Sequence, residues 1–543
     1  MNLLLRISLL AALLGLGVVA GCQRGTSRTE QAAADKLLLV GNGTEPQSLD
    51  PHITTGVQEH HIFMSILEGL VCEHPSEETV EPGVAEKWEP NDRLDEWTFH
   101  LRANARWSNG DPLTARDFVY AYRRILMPRL ASQYAEMLYL LKGAREFNEA
   151  KTDDFSTVGV RAPDDRTLVL SLVGPTPYFP LMLPHYAWFP VHQATIEKYA
   201  PIDERRNPWT KPGRFVGNGP FILKEWRFNH FIEVERNPHY WDVAGVKLNR
   251  IRFFPITNTA SEERMFRDGQ LHMTETLPLD KLAAWKKNPA GAYREIPYLA
   301  TYFYRINTKR GPMKDPRVRK ALAFAIDQRG ITDGVIRGGQ IPATGICPAV
   351  AGYTGPRMVA FDPEKARQLL AEAGFPDGRN FPRFDILINV MESHKSIAEA
   401  IQQMWKKHLN INVGINAQDW SVYLDSQQRL DYDVCRAAWT ADYADPMTFL
   451  DMWTAGNGNN ETGWENPAFD ALIAKAKQTA GDRERFAILR EAETLLLDEM
   501  PIMPIYYYVR NYLVSPMVVG WHPKLLDNHP WKHFDLKVPA DPR

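Results

Sequence analysis

The alternation of apolar and polar residues changes character midway along the chain. In the first half, Trp97, Phe99 and Leu101 occupy every second position, which predicts a strand with one buried face. Thr114 and Asp117 have the spacing of a capping box and predict the start of an amphipathic helix. Apolar runs predict further strands at 37–40 and 167–172 and a β-rich stretch over 217–256.

Helices with well-marked starts alternate with strands in the second half. Asp-Pro pairs at 315–316 and 362–363 place aspartate at the N-cap and proline at the first helical position. Further helices are predicted at 393–408, 467–479 and 483–498, and strands at 384–390, 410–416, 432–439 and 502–514. This alternation predicts an α/β domain whose sheet is mostly parallel.

The N-terminus predicts export from the cell. An apolar run over 7–20 is too short to span a bilayer comfortably and ends in small residues before Cys22, so residues 1–21 are interpreted as a secretory signal peptide. The ending VAGC resembles a bacterial lipobox, which implies that Cys22 receives the lipid; cleavage elsewhere, with a chance cysteine, is the alternative. Residues 22–35 are predicted to form a polar tether. We therefore expect a lipid-anchored protein in the periplasm or on the cell surface.

Composition and motifs exclude several classes of protein. The chain has 543 residues, 44% of them hydrophobic, and a net charge of −3, as in a soluble protein of several domains without a basic bias towards nucleic acid. Cys72, Cys347 and Cys435 lack the close spacing of a zinc site and allow at most one disulfide. No nucleophile, metalloprotease or phosphate-loop motif is present, so we predict no enzyme activity, no cofactor and no metal.

The segment AAWTADYADP at 437–446 contains two aspartates three residues apart. A catalytic pair, a metal site and a cradle for a positive charge are all open at this point. Asp445 directly precedes Pro446 and is therefore expected to start a helix, a role also open to Asp442.

Several stretches, in a consistent order, carry a family resemblance. They are EPQSLDPH at 45–52, GVAEKWE at 83–89, WTFHLRANARWSNGDPLTARDFVYAYRR at 97–124, NGPFILKEW, ERNPHYW, DPRVRKALAFAID and ADYADPMTFLDMW. Together they resemble the solute-binding proteins of peptide and nickel ABC transporters, particularly those of the oligopeptide-permease type. The resemblance covers nearly the whole mature chain.

That resemblance implies an α/β periplasmic-binding-protein fold of class II and of the three-domain peptide-binding type, with two lobes around a cleft. Domain I is expected to be discontinuous, at 36–67, 192–298 and 510–543, with domain II at 68–191 and domain III at 299–509. The implied function is binding of oligopeptides for a membrane permease by a monomeric protein. A dipeptide, a murein peptide, haem or a nickel chelate are alternative ligands, and an exported peptidase is the alternative from another class.

The resemblance also implies roles for individual residues. Asp442 is expected to hold the ligand ammonium, and Arg436 its carboxylate, although an internal ion pair is an alternative for Arg436. Main-chain pairing with the peptide is expected at 55–57, including Thr55 and Val57, and at Ala438, Trp439 and Thr440. Cleft aromatic positions, for which core packing is the alternative, are Tyr134, Tyr298, Phe303, Trp420 and Tyr508, and polar ones are Asn389 and His394.

Overall fold

The structure is a computed structural model that describes residues 27–538, so the predicted signal peptide and Cys22 lie outside the described residues. The strands are β1 (Leu37–Gly41), β2 (Val71–Glu73), β3 (Val80–Pro82), β4 (Ala85–Pro90), β5 (Glu96–Leu101), β6 (Val160–Asp164), β7 (Thr167–Ser171), β8 (Phe221–Arg227), β9 (Phe231–Arg236), β10 (Arg250–Phe254), β11 (Tyr293–Ile306), β12 (Ile341–Pro342), β13 (Phe384–Asn389), β14 (Val413–Gln418), β15 (Val434–Thr440), β16 (Ile502–Leu513), β17 (Val518–Val519) and β18 (Asp535–Leu536).

The α-helices are α1 (Arg28–Ala34), α2 (Val57–Ile66), α3 (Ala115–Leu126), α4 (Ala144–Asn148), α5 (Phe179–Met182), α6 (Gln193–Tyr199), α7 (Thr259–Arg267), α8 (Leu282–Lys286), α9 (Pro316–Phe324), α10 (Pro363–Glu372), α11 (Glu392–Leu409), α12 (Trp420–Gln428), α13 (Met447–Leu450), α14 (Pro467–Lys477) and α15 (Asp482–Glu499). Across residues 27–538, no helix is long and apolar enough to cross a membrane.

The first half of the molecule contains two four-stranded sheets and the small antiparallel pair β2-β3. The sheet β1-β10-β9-β8 pairs Leu37 with Arg250, so distant segments assigned to the predicted domain I meet in one layer. The antiparallel sheet β4-β5-β7-β6 lies in the predicted domain II. Its strand β5 buries alternate residues, and Thr114 with Asp117 forms a capping box before α3, both as predicted.

The six-stranded sheet of the second half has the order β12-β16-β11-β15-β13-β14. The prediction of a mostly parallel sheet was wrong: β13 is parallel to β14 and β15, but β11 is antiparallel to β15 and β16, and β12 is antiparallel to β16. A single helix connects β13 to β14 (α11) and β14 to β15 (α12), and crossovers of this kind join parallel strands. The strands β11 and β16 enter from outside this unit, so the alternation does not determine their direction.

The prediction of a polar tether was wrong for residues 28–34. These residues form α1, which begins at a capping box between Ser27 and Glu30. Thr29, Ala32 and Ala33 are buried, and the Thr29 N–H donates to the carbonyl of Gly269 at 3.0 Å. Small residues at a spacing of three and four form one buried face, which the polar composition of the segment conceals.

The lobes contact each other beside the cleft. Tyr178 and Met182, from the predicted domain II, belong to the same buried cluster as Tyr443 and Trp453 of the predicted domain III. The rings of Tyr178 and Tyr443 stack with centroids 5.3 Å apart and planes 3° from parallel. This stack fixes the position of the segment that follows β15.

Candidate functional site

Two adjacent chambers lie between the lobes. Chamber A, of about 250 Å³, is lined by Thr55, Val57, Tyr298, Thr440 and Arg510, among others. Chamber B, of about 670 Å³, is lined by Glu136, Tyr139, Arg145, Trp439, Asp451 and Asn457, among others. Asp442 and Tyr134 line both chambers, so they form the junction at which the chambers meet. All three predicted domains contribute to this region.

Asp442 lies directly beyond β15 and exposes its side chain to the cleft. Its backbone N–H is 3.4 Å from the Thr448 hydroxyl. Within residues 27–538, no basic side chain forms an ion pair with its carboxylate. Although the group faces the chambers, the surrounding protein removes much of its hydration; that desolvation, together with the carboxylates of Asp451 and Glu136, raises its pKa to about 7. Ionised Asp442 therefore has no cationic partner within the described residues.

Asp445 has a different environment from Asp442. Its carboxylate accepts hydrogen bonds from Nη1 and Nη2 of Arg485 at 2.8 and 2.5 Å, and both side chains are buried. It also accepts from the backbone N–H of Met447 at 2.9 Å, at the start of α13, as predicted for a helix start. The Arg485 guanidinium lies 5.6 Å from the ring centre of Tyr178. Asp445 is therefore architectural, and it supports the contact between the lobes.

Strand β15 has an incompletely paired edge beside the chambers. It pairs with β11 from Val434 to Thr440, but with β13 only at Val434 and Cys435. Beyond these two residues, the β13-facing side has no neighbouring strand in the described structure, and Ala438, Trp439 and Thr440 are at least partly exposed. A free strand edge of this kind can accept a further extended chain.

The segment 55–57 is only partly extended. Thr55 and Val57 are exposed, and Gly56 has φ −85° and ψ 146°. Val57, however, is the first residue of α2, so the prediction of a strand-like segment is wrong at that position. Gly56 is in extended conformation and serves as the helix N-cap, which ends the extended stretch at that residue.

Arg436 is buried without a carboxylate partner. Its Nη1 lies 3.5 Å from Oδ1 of Asn389, its Nη2 lies 3.4 Å from the Tyr508 hydroxyl, and its guanidinium carbon is 4.9 Å from the ring centre of Tyr302. Nε has no hydrogen-bond partner. No carboxylate among residues 27–538 pairs with this cation, so the structure does not support the internal ion pair.

His394 lies beside the group formed by Arg436, Asn389, Tyr508 and Tyr302, which we call the Arg436 cluster. Its Nδ1 lies 3.4 Å from the Tyr302 hydroxyl, and the two rings are 5.6 Å apart. Burial and the Arg436 charge lower its pKa to about 4, so the imidazole is neutral near pH 7. The fold therefore brings together Arg436, Asn389, His394 and Tyr508, four of the predicted site residues.

Phe303, an expected cleft position, adopts the core-packing alternative. Tyr302 contacts Arg436, whereas the predicted Phe303 is fully buried on the opposite side and packs against Trp453 at 5.8 Å. Side chains alternate along a strand, so these neighbours face opposite ways. Tyr302 and Tyr304 alternate with Phe303 along the sequence, and this alternation could have indicated that the two tyrosines share the face of β11 towards Arg436. Trp420 begins α12, and its side chain lies outside the described part of the structure.

Tyr134 and Tyr298 line the chambers, as their predicted cleft positions require. Tyr134 packs edge-on against His185 with ring centroids 4.6 Å apart, and desolvation followed by the Asp442 charge raises its pKa. Tyr298 lies in chamber A under the guanidinium of Arg510, 5.3 Å from its ring centre. Tyr134 thus combines core packing with exposure to the cleft, whereas Tyr298 packs against a cation of the chamber wall.

Chamber A also contains charged residues that the sequence reasoning missed. Arg510 donates to Oδ2 of Asp527 at 2.7 Å and to Oε1 of Glu275 at 2.9 Å. His60 lies 2.7 Å from the amide oxygen of Asn528, and burial lowers its pKa to about 4. Over residues 27–538, no three histidine, cysteine or carboxylate groups are placed to hold a metal ion. The charges of this chamber are therefore compensated internally, except at Asp442.

Comparison with known proteins gives consistent matches. Residues 79–461 match the family model "Bacterial extracellular solute-binding proteins, family 5 Middle". The chain is 39% identical over 516 residues to the periplasmic oligopeptide-binding protein OppA of Salmonella typhimurium, covering 91% of this chain and 92% of that protein. It is 35% identical over 525 residues to the periplasmic murein peptide-binding protein MppA of Escherichia coli, covering 95% of each.

Solved structures have the same fold. The Escherichia coli murein tripeptide-binding protein MppA superposes with a TM-score of 0.77 at 34% identity, covering 92% of this chain and 98% of that chain. Haemophilus influenzae OppA, in complex with RPPGFSPFR, superposes with a TM-score of 0.73 at 34% identity, covering 92% of this chain and 99% of that chain. The α/β fold predicted from the sequence is thus confirmed.

Proposed function

Because the chain belongs to family 5 of the bacterial extracellular solute-binding proteins, we propose that it binds oligopeptides outside the cytoplasm and delivers them to the permease of an ABC importer. The observation that carries this proposal is an unpaired carboxylate, Asp442, directly beyond the free edge of β15 in the cleft between the lobes. Relatives named as oligopeptide-binding proteins, one of them in complex with a nine-residue peptide, support it.

The ligand's N-terminus is held at Asp442. An α-ammonium neutralises the ionised carboxylate in a place where water is scarce, and the pair avoids the free-energy penalty of either desolvated charge alone. The peptide main chain then follows the edge of β15 at 438–440, opposite Thr55 and Gly56. Main-chain hydrogen bonds do not depend on side-chain identity, so this arrangement suits a binder of varied sequences.

The ligand's carboxylate is held by Arg436 in peptides of suitable length. Arg436 lies within β15 and Asp442 lies two residues beyond its end, so their Cα atoms are separated by at most about 20 Å. An extended peptide of roughly four to six residues spans that distance. The guanidinium provides free donors at its buried Nε and long contacts at its other nitrogens, so a carboxylate would improve its hydrogen bonding.

Export and anchoring complete the proposal. We assign lipidation to Cys22, location to the periplasm or cell surface of a bacterium, and action as a monomer; the periplasmic relatives support this location. Relatives named as murein peptide-binding and dipeptide-binding proteins make these ligands the alternatives within the family. The relatives are named as binding proteins, which supports a binder over the alternative of an exported peptidase.

Calorimetry with purified protein tests the proposal. Tetra-alanine is expected to bind, N-acetylated tetra-alanine to bind at least about 30-fold more weakly, and Asp442→Asn to remove this difference, since loss of one partner of a desolvated charge pair costs about 2–5 kcal/mol. Asp377→Asn, at an exposed carboxylate of the same lobe, is the matched control. Equal binding of the free and acetylated peptides would refute the role of Asp442, and recovery of peptide fragments instead of intact peptide would identify a peptidase.

A further inference from the structure

Chamber B contains more negative charge than a single ligand ammonium can neutralise. Besides Asp442, its walls carry the carboxylates of Glu136 and Asp451, whereas Arg145 is its one basic lining residue in the described structure. Arg145 lies 5.1 Å from the ring centre of Tyr139 and forms no ion pair with any carboxylate in residues 27–538. Three carboxylates therefore face one guanidinium in this chamber.

The other nearby cation compensates only weakly. Lys477 Nζ lies 3.8 Å from Oδ2 of Asp451, and the two side chains are 40% and 31% exposed. A long, solvated contact of this kind contributes little. After desolvation, the Asp451 and Glu136 carboxylates also raise the pKa of Asp442, so the three negative charges lie close enough to repel one another.

The two additional carboxylates belong to opposite lobes. Glu136 lies in a short 3-10 helix, Ala135–Leu140, of the predicted domain II, and Asp451 follows α13 in the predicted domain III. Aromatic side chains, including Tyr134, Tyr139 and Trp439, line the space between them. A long cationic side chain fits such a surface, because its methylene stem packs on aromatic faces while its charged end meets carboxylates.

The junction at Asp442 determines which part of a peptide enters chamber B. The α-ammonium and the first side chain of a peptide leave the same Cα atom, so a ligand anchored at Asp442 places its first side chain at the junction. The main chain continues into chamber A along β15, where Thr440 and Thr55 line the wall. Chamber B is then the space open to the first side chain.

We propose that chamber B selects peptides whose first residue is lysine or arginine, and that Glu136 and Asp451 are the residues that determine this specificity. The inference rests on the proposed function, since Asp442 must hold the peptide ammonium. It adds a ligand class: peptides with a basic N-terminal residue, whose side chain contacts both lobes at once.

Three tetrapeptides test this inference. They have the form X-Ala-Ala-Ala, with lysine, norleucine or glutamate at the first position; norleucine has the stem of lysine without its charge. Calorimetry at low salt is expected to show the lysine peptide binding about tenfold more tightly than the norleucine peptide and the glutamate peptide binding most weakly. The preference for lysine should decrease as salt screens the charges.

Variants then assign the preference to the two carboxylates. In Glu136→Gln and in Asp451→Asn, the ratio of the norleucine to the lysine dissociation constant is expected to fall about threefold each, towards one in the double variant. Glu399→Gln, an exposed carboxylate on α11, is the matched control and should keep the wild-type ratio.

The outcomes separate this inference from the proposed function. Equal affinity of the wild-type protein for the lysine and norleucine peptides overturns the preference, while binding of both leaves the oligopeptide function in place. A wild-type ratio in the double variant also overturns it, because the selectivity then has another origin. If none of the three peptides binds, both the inference and the proposed function fail.

Discussion

Acidification should weaken peptide binding through Asp442. The pKa of this carboxyl is about 7 in the ligand-free protein, and only its ionised form pairs with an ammonium. From pH 7.5 to pH 5.5 the ionised fraction falls from about three quarters to about 3%, so the affinity should fall about 25-fold. The bound ammonium lowers the pKa, so binding below pH 7 releases a proton. Near pH 8 the peptide's own α-ammonium begins to deprotonate, and affinity should decrease again.

Isothermal titration of tetra-alanine at pH 5.5, 6.5 and 7.5, in buffers of different ionisation enthalpy, measures both the affinity and the released protons. Release should approach one proton for each peptide below about pH 6. Two histidines of chamber A do not contribute in this pH range, because burial lowers the pKa of His60 to about 4 and of His185 to about 3. Burial also lowers the pKa of His61, and the Asp442→Asn variant separates its protons from those of Asp442. Asp442→Asn should bind weakly at every pH and release no proton.

Two results would refute this reasoning. An affinity that is unchanged between pH 5.5 and pH 7.5 would show that the free carboxyl has an ordinary pKa or does not contact the ligand. The same pH dependence in Asp442→Asn would assign it to another group. Glu136→Gln provides a further check, because removal of a neighbouring negative charge should move the midpoint to lower pH.

Three other substitutions test the buried ion pair, the proposed contact with the peptide carboxylate, and the contact between the lobes. Asp445→Asn leaves the buried Arg485 with only the exposed Asp482 as a carboxylate partner and should lower the free energy of unfolding in urea by about 3 kcal/mol; an unchanged midpoint would contradict the buried pair. Arg436→Met should abolish discrimination between free-acid and C-amidated tetrapeptides, which we expect to be about tenfold or more in the wild-type protein by calorimetry. Tyr178→Ala removes the stack on Tyr443, worth about 0.5–1.5 kcal/mol, and should increase the radius of gyration by X-ray scattering if the lobes separate.

Local patterns predicted many helices and strands. The predicted helices at 393–408, 467–479 and 483–498 lie within two residues of α11, α14 and α15, because helix caps and helical periodicity depend on neighbouring residues. The direction of β11 and β16 could not be predicted in this way. Their pairing depends on chain segments roughly two hundred residues apart, and no local signal describes how those segments meet.

The candidate site shows the same limit at the level of single residues. The resemblance implied separate cleft positions for Arg436, Asn389, His394 and Tyr508, and the structure places these four residues in one cluster. The resemblance pointed to Phe303 and not to its neighbour Tyr302. Neighbouring residues of a strand face opposite ways, so a shift of one position changes the face. Charged partners such as Glu136 were also missed, since their proximity to Asp442 arises only when the two lobes meet.

The two ends of the proposed peptide site share one energetic property. Arg436 is a buried cation with an unsatisfied Nε, and Asp442 is a carboxyl whose ionised form is disfavoured in the empty cleft. The buried Arg436 charge without a carboxylate partner is destabilising in the ligand-free fold, and ionising the cleft-facing Asp442 costs free energy because its pKa is raised. A zwitterionic peptide supplies the missing charge at both ends, so binding gains free energy from relief of these two penalties as well as from new contacts. Capping either peptide terminus removes one of these gains, whatever the side chains between them.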